Sequence, residues 1–220
     1  MRGITILHED PDVIVIEKSA GILSCATRRG DEYSVESALT DYVRKGQTKS
    51  RKCVYLVHRL DRETSGVMMV AKSLEVQEYF RSNWNELTEK TYLARVHGHL
   101  DRKDGEFESY LAENPRTLMV HSVNNPADGK LARTLYKVLS EDRDTSLVEV
   151  KLKSGRKNQI RVHFAENGHP VVGDARYGKE KRNGQLLLHS WKLAFVHPHT
   201  GKRLEFEAPP RLSDFCLLAS

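Results

Sequence analysis

Residues 57–73 read VHRLDRETSGVMMVAKS, and the reading of this stretch decides the fold. Arg59, Asp61, Arg62 and Glu63 stand within five positions of one another, between the apolar runs CVYLV (53–57) and VMMVA (67–71). Both runs are short and apolar, which suits central strands. The charged piece between them is then an irregular connection that closes on Thr64-Ser65-Gly66. Charged side chains are seldom fully buried without partners, so four of them at one strand connection ask for an explanation beyond packing.

On the N-terminal side, ITILHEDPDVIVIEKSAGIL (4–23) clusters β-branched residues around the breaker Asp10-Pro11-Asp12, which predicts a hairpin followed by a loop at Ser19-Ala20-Gly21. Ser34 stands at a helix N-cap, with Val35, Leu39, Tyr42 and Val43 at helical spacing. Towards the C-terminus, Ser73 caps a second helix whose apolar face is Val76, Tyr79, Phe80, Trp84 and Leu87. KTYLARVHG (90–98) alternates with period two and reads as a strand with Tyr92, Ala94 and Val96 on one side. SLVEVKLK (146–153) alternates as well, and LLLHSWKLAFVHPHTGKRLEFEAP (186–209) reads as two strands joined through His197–Gly201. No repeat, low-complexity tract or long linker interrupts the chain, so one domain over residues 1–220 is expected.

Composition bounds the function. A chain of 220 residues, 39% apolar and 30% charged, is that of an ordinary globular protein with a core and room for a cleft. It has no apolar run of the roughly 18 residues that a membrane helix needs, and the N-terminus carries acids where a signal peptide has its apolar stretch. A cytoplasmic protein follows. Cys25, Cys53 and Cys216 form no metal-ligand spacing and read as reduced bystanders. The net charge of +5 is unevenly spread. Seven Lys or Arg and a single acid lie between Arg44 and Arg62, and five basic residues and no acid between Lys151 and Arg161. Two basic stretches of this kind suit a polyanion such as RNA.

SGRKNQIRVHFAENGHPVVGDARYG (154–178) is the second informative stretch. Asn158 is placed as an N-cap, Ile160, His163 and Phe164 form one face, and Gly168 before His169-Pro170 stops the helix. Arg161, next to Ile160, is expected at the edge of the buried face. An arginine there wants a carboxylate, and Asp61 is the candidate.

HRLDRETSG (58–66), KTYLARVHG (90–98), GRKNQIRVH (155–163) and GHPVVGDARYG (168–178) together resemble the ordered motifs of the RluA-type pseudouridine synthases. The opening DPDVIVIEKSAG and the closing LLLHSWKLAFVHPHTGK resemble the ends of that family, so the likeness covers nearly the whole chain. Lys157-Asn158 stands where Thr-His is usual, and Ser19 where proline is usual. Many relatives carry an additional S4-type RNA-binding module, which is expected to be absent here.

The resemblance implies an α+β fold, with a mixed, largely antiparallel sheet flanked by helices around a catalytic cleft. It implies an enzyme that isomerises uridine to pseudouridine in ribosomal or transfer RNA without cofactor or metal. Asp61 then falls on the nucleophile, Tyr92 on the active-site tyrosine and Arg161 on the arginine paired with the nucleophile. Arg59 falls on the residue that fills the gap left by a flipped base. Lys49, Arg51, Lys52, Arg62, Arg156 and Lys157 are the further RNA-binding candidates, and a monomer is expected. His58, His163, His169 and His189 are read as structural hydrogen-bonders, and His197 with His199 as a weak metal signal. Two other classes are open to these residues. A non-catalytic RNA-binding module explains the charge but not a carboxylate amid phosphate-binding residues. A metal-dependent nuclease needs more converging carboxylates than Asp61 and Glu63.

Overall fold

Asp10 makes the first turn. Its carboxylate accepts the backbone N–H groups of Asp12 and Val13, both at 2.8 Å, and this Asx turn folds β1 (Ile4–Glu9) antiparallel onto β2 (Val13–Lys18). The structure, a computed structural model, describes residues 1–26, 33–47, 49–178, 184–210 and 215. After the hairpin come α1 (Val35–Arg44), β3 (Tyr55–Leu56), β4 (Ser65–Ala71), α2 (Leu74–Ser82) and α3 (Trp84–Leu87). The middle of the chain forms β5 (Thr88–His97), β6 (Asp104–Glu113), β7 (Val120–Val123), β8 (Lys130–Glu141) and β9 (Thr145–Leu152). Then follow α4 (Gln159–Glu166), β10 (Leu188–Val196) and β11 (Arg203–Glu207).

These elements form two compact units. The first takes Met1–Glu89 and returns for Ser190–Pro209. Its strands run in the order β1-β2-β4-β10, with β11 on β10 and the short β3 on β4. Ser34 and Ser37 form a reciprocal capping box at α1, and the Ser73 hydroxyl accepts the Val76 N–H at α2. Val76 and Phe80 of α2 pack with Val13, Val15, Val67, Met69, Leu193 and Phe195. The Phe80 and Phe195 rings meet edge to face at 5.6 Å. Each such side chain contributes about 2–3 kcal/mol by leaving water.

The second unit is Lys90–His189 with the residues from Pro210. Its strands lie in the order β5-β9-β8-β6-β7, every neighbour antiparallel. Leu111, Val120, Ala132 and Val162 form one core cluster. Phe164 of α4 stands edge-on to Phe107 and Tyr136 at 5.2 and 5.9 Å.

Three expectations change. CVYLV yields only two strand residues, because β4 takes its main pairing from β2 and meets β3 only at Tyr55 and Leu56. The helical face from Val76 to Leu87 is divided between α2 and α3 at Asn83, whose φ of −130° leaves the helical range. Residues 104–141, given no elements from the sequence, hold three strands. Cys216 lies outside the described residues, while Cys25 and Cys53 are free thiols.

Candidate active site

In the first unit, the charged connection between β3 and β4 is held by its backbone. The Ser24 hydroxyl donates to the Leu60 carbonyl at 2.7 Å and accepts the Leu60 N–H at 3.0 Å. The Arg62 carbonyl accepts the Gly21 N–H at 2.7 Å, and the Arg62 Nε donates back to the Gly21 carbonyl at 3.1 Å. Within the connection, the Thr64 N–H closes a turn on the Asp61 carbonyl at 3.1 Å. His58 Nε2 accepts the Met69 N–H at 3.0 Å, which fixes where the connection leaves the sheet. Gly66 ends it with φ +110°, and a Cβ there would stand 2.1 Å from the Ser190 carbonyl oxygen, so only glycine fits. This accounts for the Thr-Ser-Gly closure.

The loop thus satisfies its polar backbone against residues 18–24 and keeps its charges outward. Asp61 is half-buried, and Arg59, Arg62 and Glu63 are exposed. The Arg59 guanidinium reaches the Cys25 thiol at 3.9 Å. Lys49, Arg51 and Lys52, on the stretch after α1, are exposed as well, and the Arg44 Nε donates to the Lys52 carbonyl.

In the second unit, Tyr92 lies on β5 opposite Val150 and is 6% exposed. Lys90, on the same face of β5, is buried too, and desolvation lowers its amine to about 8. Arg161 differs from the expectation: it is wholly buried, not at the edge of a buried face, because α4 is enclosed from Gln159 through Phe164. Its guanidinium makes a two-pronged ion pair with Asp174, Nε to Oδ2 at 2.7 Å and an Nη to Oδ1 at 2.8 Å. Asp174 also accepts the N–H groups of Arg176 and Tyr177. Burial would raise the Asp174 carboxyl, but the hydrogen bond and charge of Arg161 outweigh it and hold the group below the usual carboxylate range.

The polar residues of α4 are each engaged. His163 bonds Thr134 and Ser109 at 2.8 and 3.0 Å, and burial lowers its imidazole. Gln159 accepts from Ser154 and from the Arg156 N–H, and donates to Thr134 and the Arg133 carbonyl. Asn158 precedes the helix with φ +53° and makes no side-chain cap bond; its amide donates to the Tyr177 hydroxyl instead. Arg156 and Lys157 are exposed, Lys157 being ion-paired with Glu113. Reading the sequence missed Asp174 as a carboxylate partner of Arg161. The signal was an aspartate between a glycine and an alanine in GDARYG, 13 positions after Arg161.

Asp10, Asp12 and His197 are, among the described residues, the cluster of metal-ligating types. His197 Nδ1 accepts the N–H groups of His199 and Thr200 at 3.3 and 3.2 Å, so the ring proton sits on Nε2, 3.2 Å from an Asp10 oxygen. A metal on Nε2 would force the proton onto Nδ1, against two N–H donors. The cluster instead ties the β1–β2 turn to the β10–β11 turn, with His199 on Asp12 at 2.7 Å and raised by that carboxylate.

Of the three residues singled out in the sequence, the structure thus places Asp61 on a pinned loop of the first unit, and Tyr92 and Arg161 buried in the second. A family model of RNA pseudouridylate synthases matches residues 12–166, and the chain belongs to that family. An uncharacterized RNA pseudouridine synthase of Bacillus subtilis, YjbO, is 35% identical over 206 residues, covering 93% of this chain and 71% of that protein. The ribosomal large subunit pseudouridine synthase D of Nitrosomonas europaea is also 35% identical, and the chain spans 61% of its length. Among solved structures, human RNA pseudouridylate synthase domain containing 4 superposes with a TM-score of 0.74 at 25% identity, over 97% of this chain and 92% of that one. The α+β fold expected from the sequence is the fold of these proteins. No helix among the described residues is long and apolar enough to cross a membrane.

Proposed function

We propose that the chain isomerises particular uridines in structured ribosomal or transfer RNA, with residues 1–220 acting as one catalytic domain. The observation that carries this reading is the loop of His58–Thr64, whose backbone is fastened to residues 18–24 while the Asp61 carboxylate stays half-exposed. A fixed, ionised carboxylate is the nucleophile that the reaction needs. The N-glycosidic bond breaks, the uracil turns, and a bond to C5 replaces the bond to N1. Asp61 holds one fragment while the other moves. Tyr92 stacks on the uracil and takes the C5 proton, directly or through water. Arg161, anchored by Asp174, is the third catalytic residue and supplies a fixed positive charge. The name of the Nitrosomonas relative supports ribosomal RNA as one substrate class. The protein acts as a monomer in the cytoplasm, and no metal takes part. Incubation of RNA from cells lacking the protein, with EDTA present, should yield pseudouridine on nuclease digestion. Dependence on added divalent ion with RNA cleavage would instead make it a nuclease.

Arg59 and the basic stretch should separate in kinetics. Replacing Lys49, Arg51 and Lys52 together removes three phosphate contacts, so the log–log salt slope of RNA binding should flatten by about two to three units, with the bound-state rate kept. Arg59→Ala should instead slow the single-turnover step at saturating RNA by about tenfold or more. Extrusion of the target base costs a few kcal/mol, and nothing would then fill its place. A fluorescent base beside the target should report delayed unstacking. If only affinity changes, Arg59 is one more phosphate contact.

A further inference from the structure

The second unit holds a cavity of about 540 Å³ between the β6–β7 hairpin, the short helical turn Pro126–Asp128 and the start of α4. Small-ligand pockets span about 300–1,000 Å³, and a nucleobase with its ribose fits this one. Leu111, Ala112, Val120 and Ala127 give it apolar walls. Gly129 seats the turn closely on the hairpin, since a Cβ there would stand 2.7 Å from a Val123 methyl and 3.0 Å from the Tyr110 Cβ. Lys130, Arg156 and Lys157 line the same cavity, together with Glu113 and Asp128, and all five are exposed. Lys157 is ion-paired with Glu113, and the Arg156 Nε donates to the Leu131 carbonyl at 3.1 Å. Three cations against two carboxylates leave a positive balance that suits a phosphate.

We propose that this cavity is a nucleotide subsite that takes an unpaired base bearing an exocyclic amino group from the RNA around the target uridine. The ring lies on the apolar walls, the amino group on Asp128, and the phosphate on Lys130 and Arg156. The assignment rests on the reading of RNA as the substrate. Asp128 decides the class of base. Its Oδ2 accepts from the Asn125 amide at 3.1 Å, and Asn125 in turn accepts the Ala127 N–H at 3.1 Å, so the carboxylate is held on a fastened turn. A carboxylate repels phosphate but accepts the N–H groups of a base edge. Adenine, cytosine and guanine offer an amino group, whereas the one Watson–Crick-edge N–H of uracil stands between two carbonyl oxygens that a carboxylate repels. RNA is read in this way where its bases are unpaired and splayed out. The subsite therefore bears on which uridines are chosen, through a neighbour of the target.

The test uses the Asp61→Asn protein, so that binding is read without turnover, and the shortest fragment of ribosomal RNA that it retains on a filter. Each nucleotide of that fragment is replaced in turn by an abasic residue and by uridine. At one unpaired position both replacements should weaken binding by about tenfold. Adding Ala127→Phe, which fills the cavity from its wall, should weaken binding of the intact fragment by a similar factor. The abasic replacement at that position should then cost less than about twofold more, because base and cavity are coupled. Lys130→Ala should weaken binding of every fragment alike and reduce the salt slope by about one. A merely structural turn would lose affinity in Ala127→Phe with the full abasic penalty still in place. That result overturns the proposal, as does an Ala127→Phe protein that binds like its parent. If Ala127→Phe does not fold, Asp128→Asn decides: the amide can donate to a uracil carbonyl, so the penalty for uridine should drop to about twofold, and an unchanged penalty overturns the proposal. A fragment with no base-dependent position makes the cavity a phosphate contact only and overturns it too. Pseudouridine formation by wild type is measured separately: its absence removes the isomerase reading, while the base-dependent coupling still answers for the subsite.

Discussion

Asp61→Asn should leave a folded chain that still binds RNA and isomerises uridine about four orders of magnitude more slowly, the scale of losing a nucleophile. The prediction is sharp because the loop is not held by the substituted atoms alone. Leu60 is bonded to Ser24 through its backbone, Arg62 to Gly21 and Lys18 likewise, and Thr64 to the Asp61 carbonyl rather than to its carboxylate. An amide of nearly the same shape leaves these bonds in place. It removes the charge and the nucleophilicity. Circular dichroism and RNA affinity should match the unaltered protein, and pseudouridine formed in a single turnover should be near background. Turnover within tenfold of wild type would end the assignment.

Arg161→Met should have the largest effect on stability, about 3–5 kcal/mol, together with loss of turnover. The pair it breaks is buried on both sides, with side-chain exposure of 6% for Arg161 and 0% for Asp174. Removing one partner strands the other charge, and a melting temperature about 10 °C lower is expected for a chain of this size. Its pH response reverses as well. In the unaltered protein Asp174 titrates below its unfolded value, so its contribution is complete above the unfolded pKa and disappears as pH falls through the folded one. Without Arg161, burial raises the carboxyl, the folded state binds the proton first, and stability should increase as pH drops from 7 towards 5. Arg161→Met with Asp174→Asn should regain much of the lost stability, since the amide oxygen still accepts from Arg176 and Tyr177. It should not regain turnover if Arg161 also serves Asp61. Recovery of both would reduce Arg161 to a support for Asp174.

Local signals were legible in the sequence wherever a short range of chain decides the outcome. The Asp10-Pro11-Asp12 turn and the caps at Ser34 and Ser73 are such cases, because donor and acceptor lie within three residues of each other. The alternation of β5 and β9 was clear because one face of each is buried. β6 and β8 escaped notice because their inward face is built partly of Gly105, Ser109, Ala132 and Thr134, which carry little apolar signal. Helical periodicity suggested a one-sided α4, yet the helix is enclosed, and its polar residues are bonded to partners tens of positions away in sequence. Pairings beyond one element, Arg161 with Asp174 13 positions on or Lys18 with Arg62 44 positions on, leave no local pattern to read.

The first unit is made from both ends of the chain, and this governs its birth on the ribosome. When residue 89 has been made, β4 has its partners β2 and β3, but the segment that covers its remaining edge, β10, is still a hundred residues from synthesis. Val67 to Ala71 are entirely apolar and fully enclosed in the finished protein. On the nascent chain they form an open strand edge of the kind that recruits other chains. The second unit, contiguous apart from the residues from Pro210, can close most of its sheet first, so translation pauses within residues 90–189 should prolong exposure of that edge and increase aggregation. Deletion of residues 190–209 should leave the N-terminal segment dependent on a chaperone, although every residue of its β3–β4 connection is present.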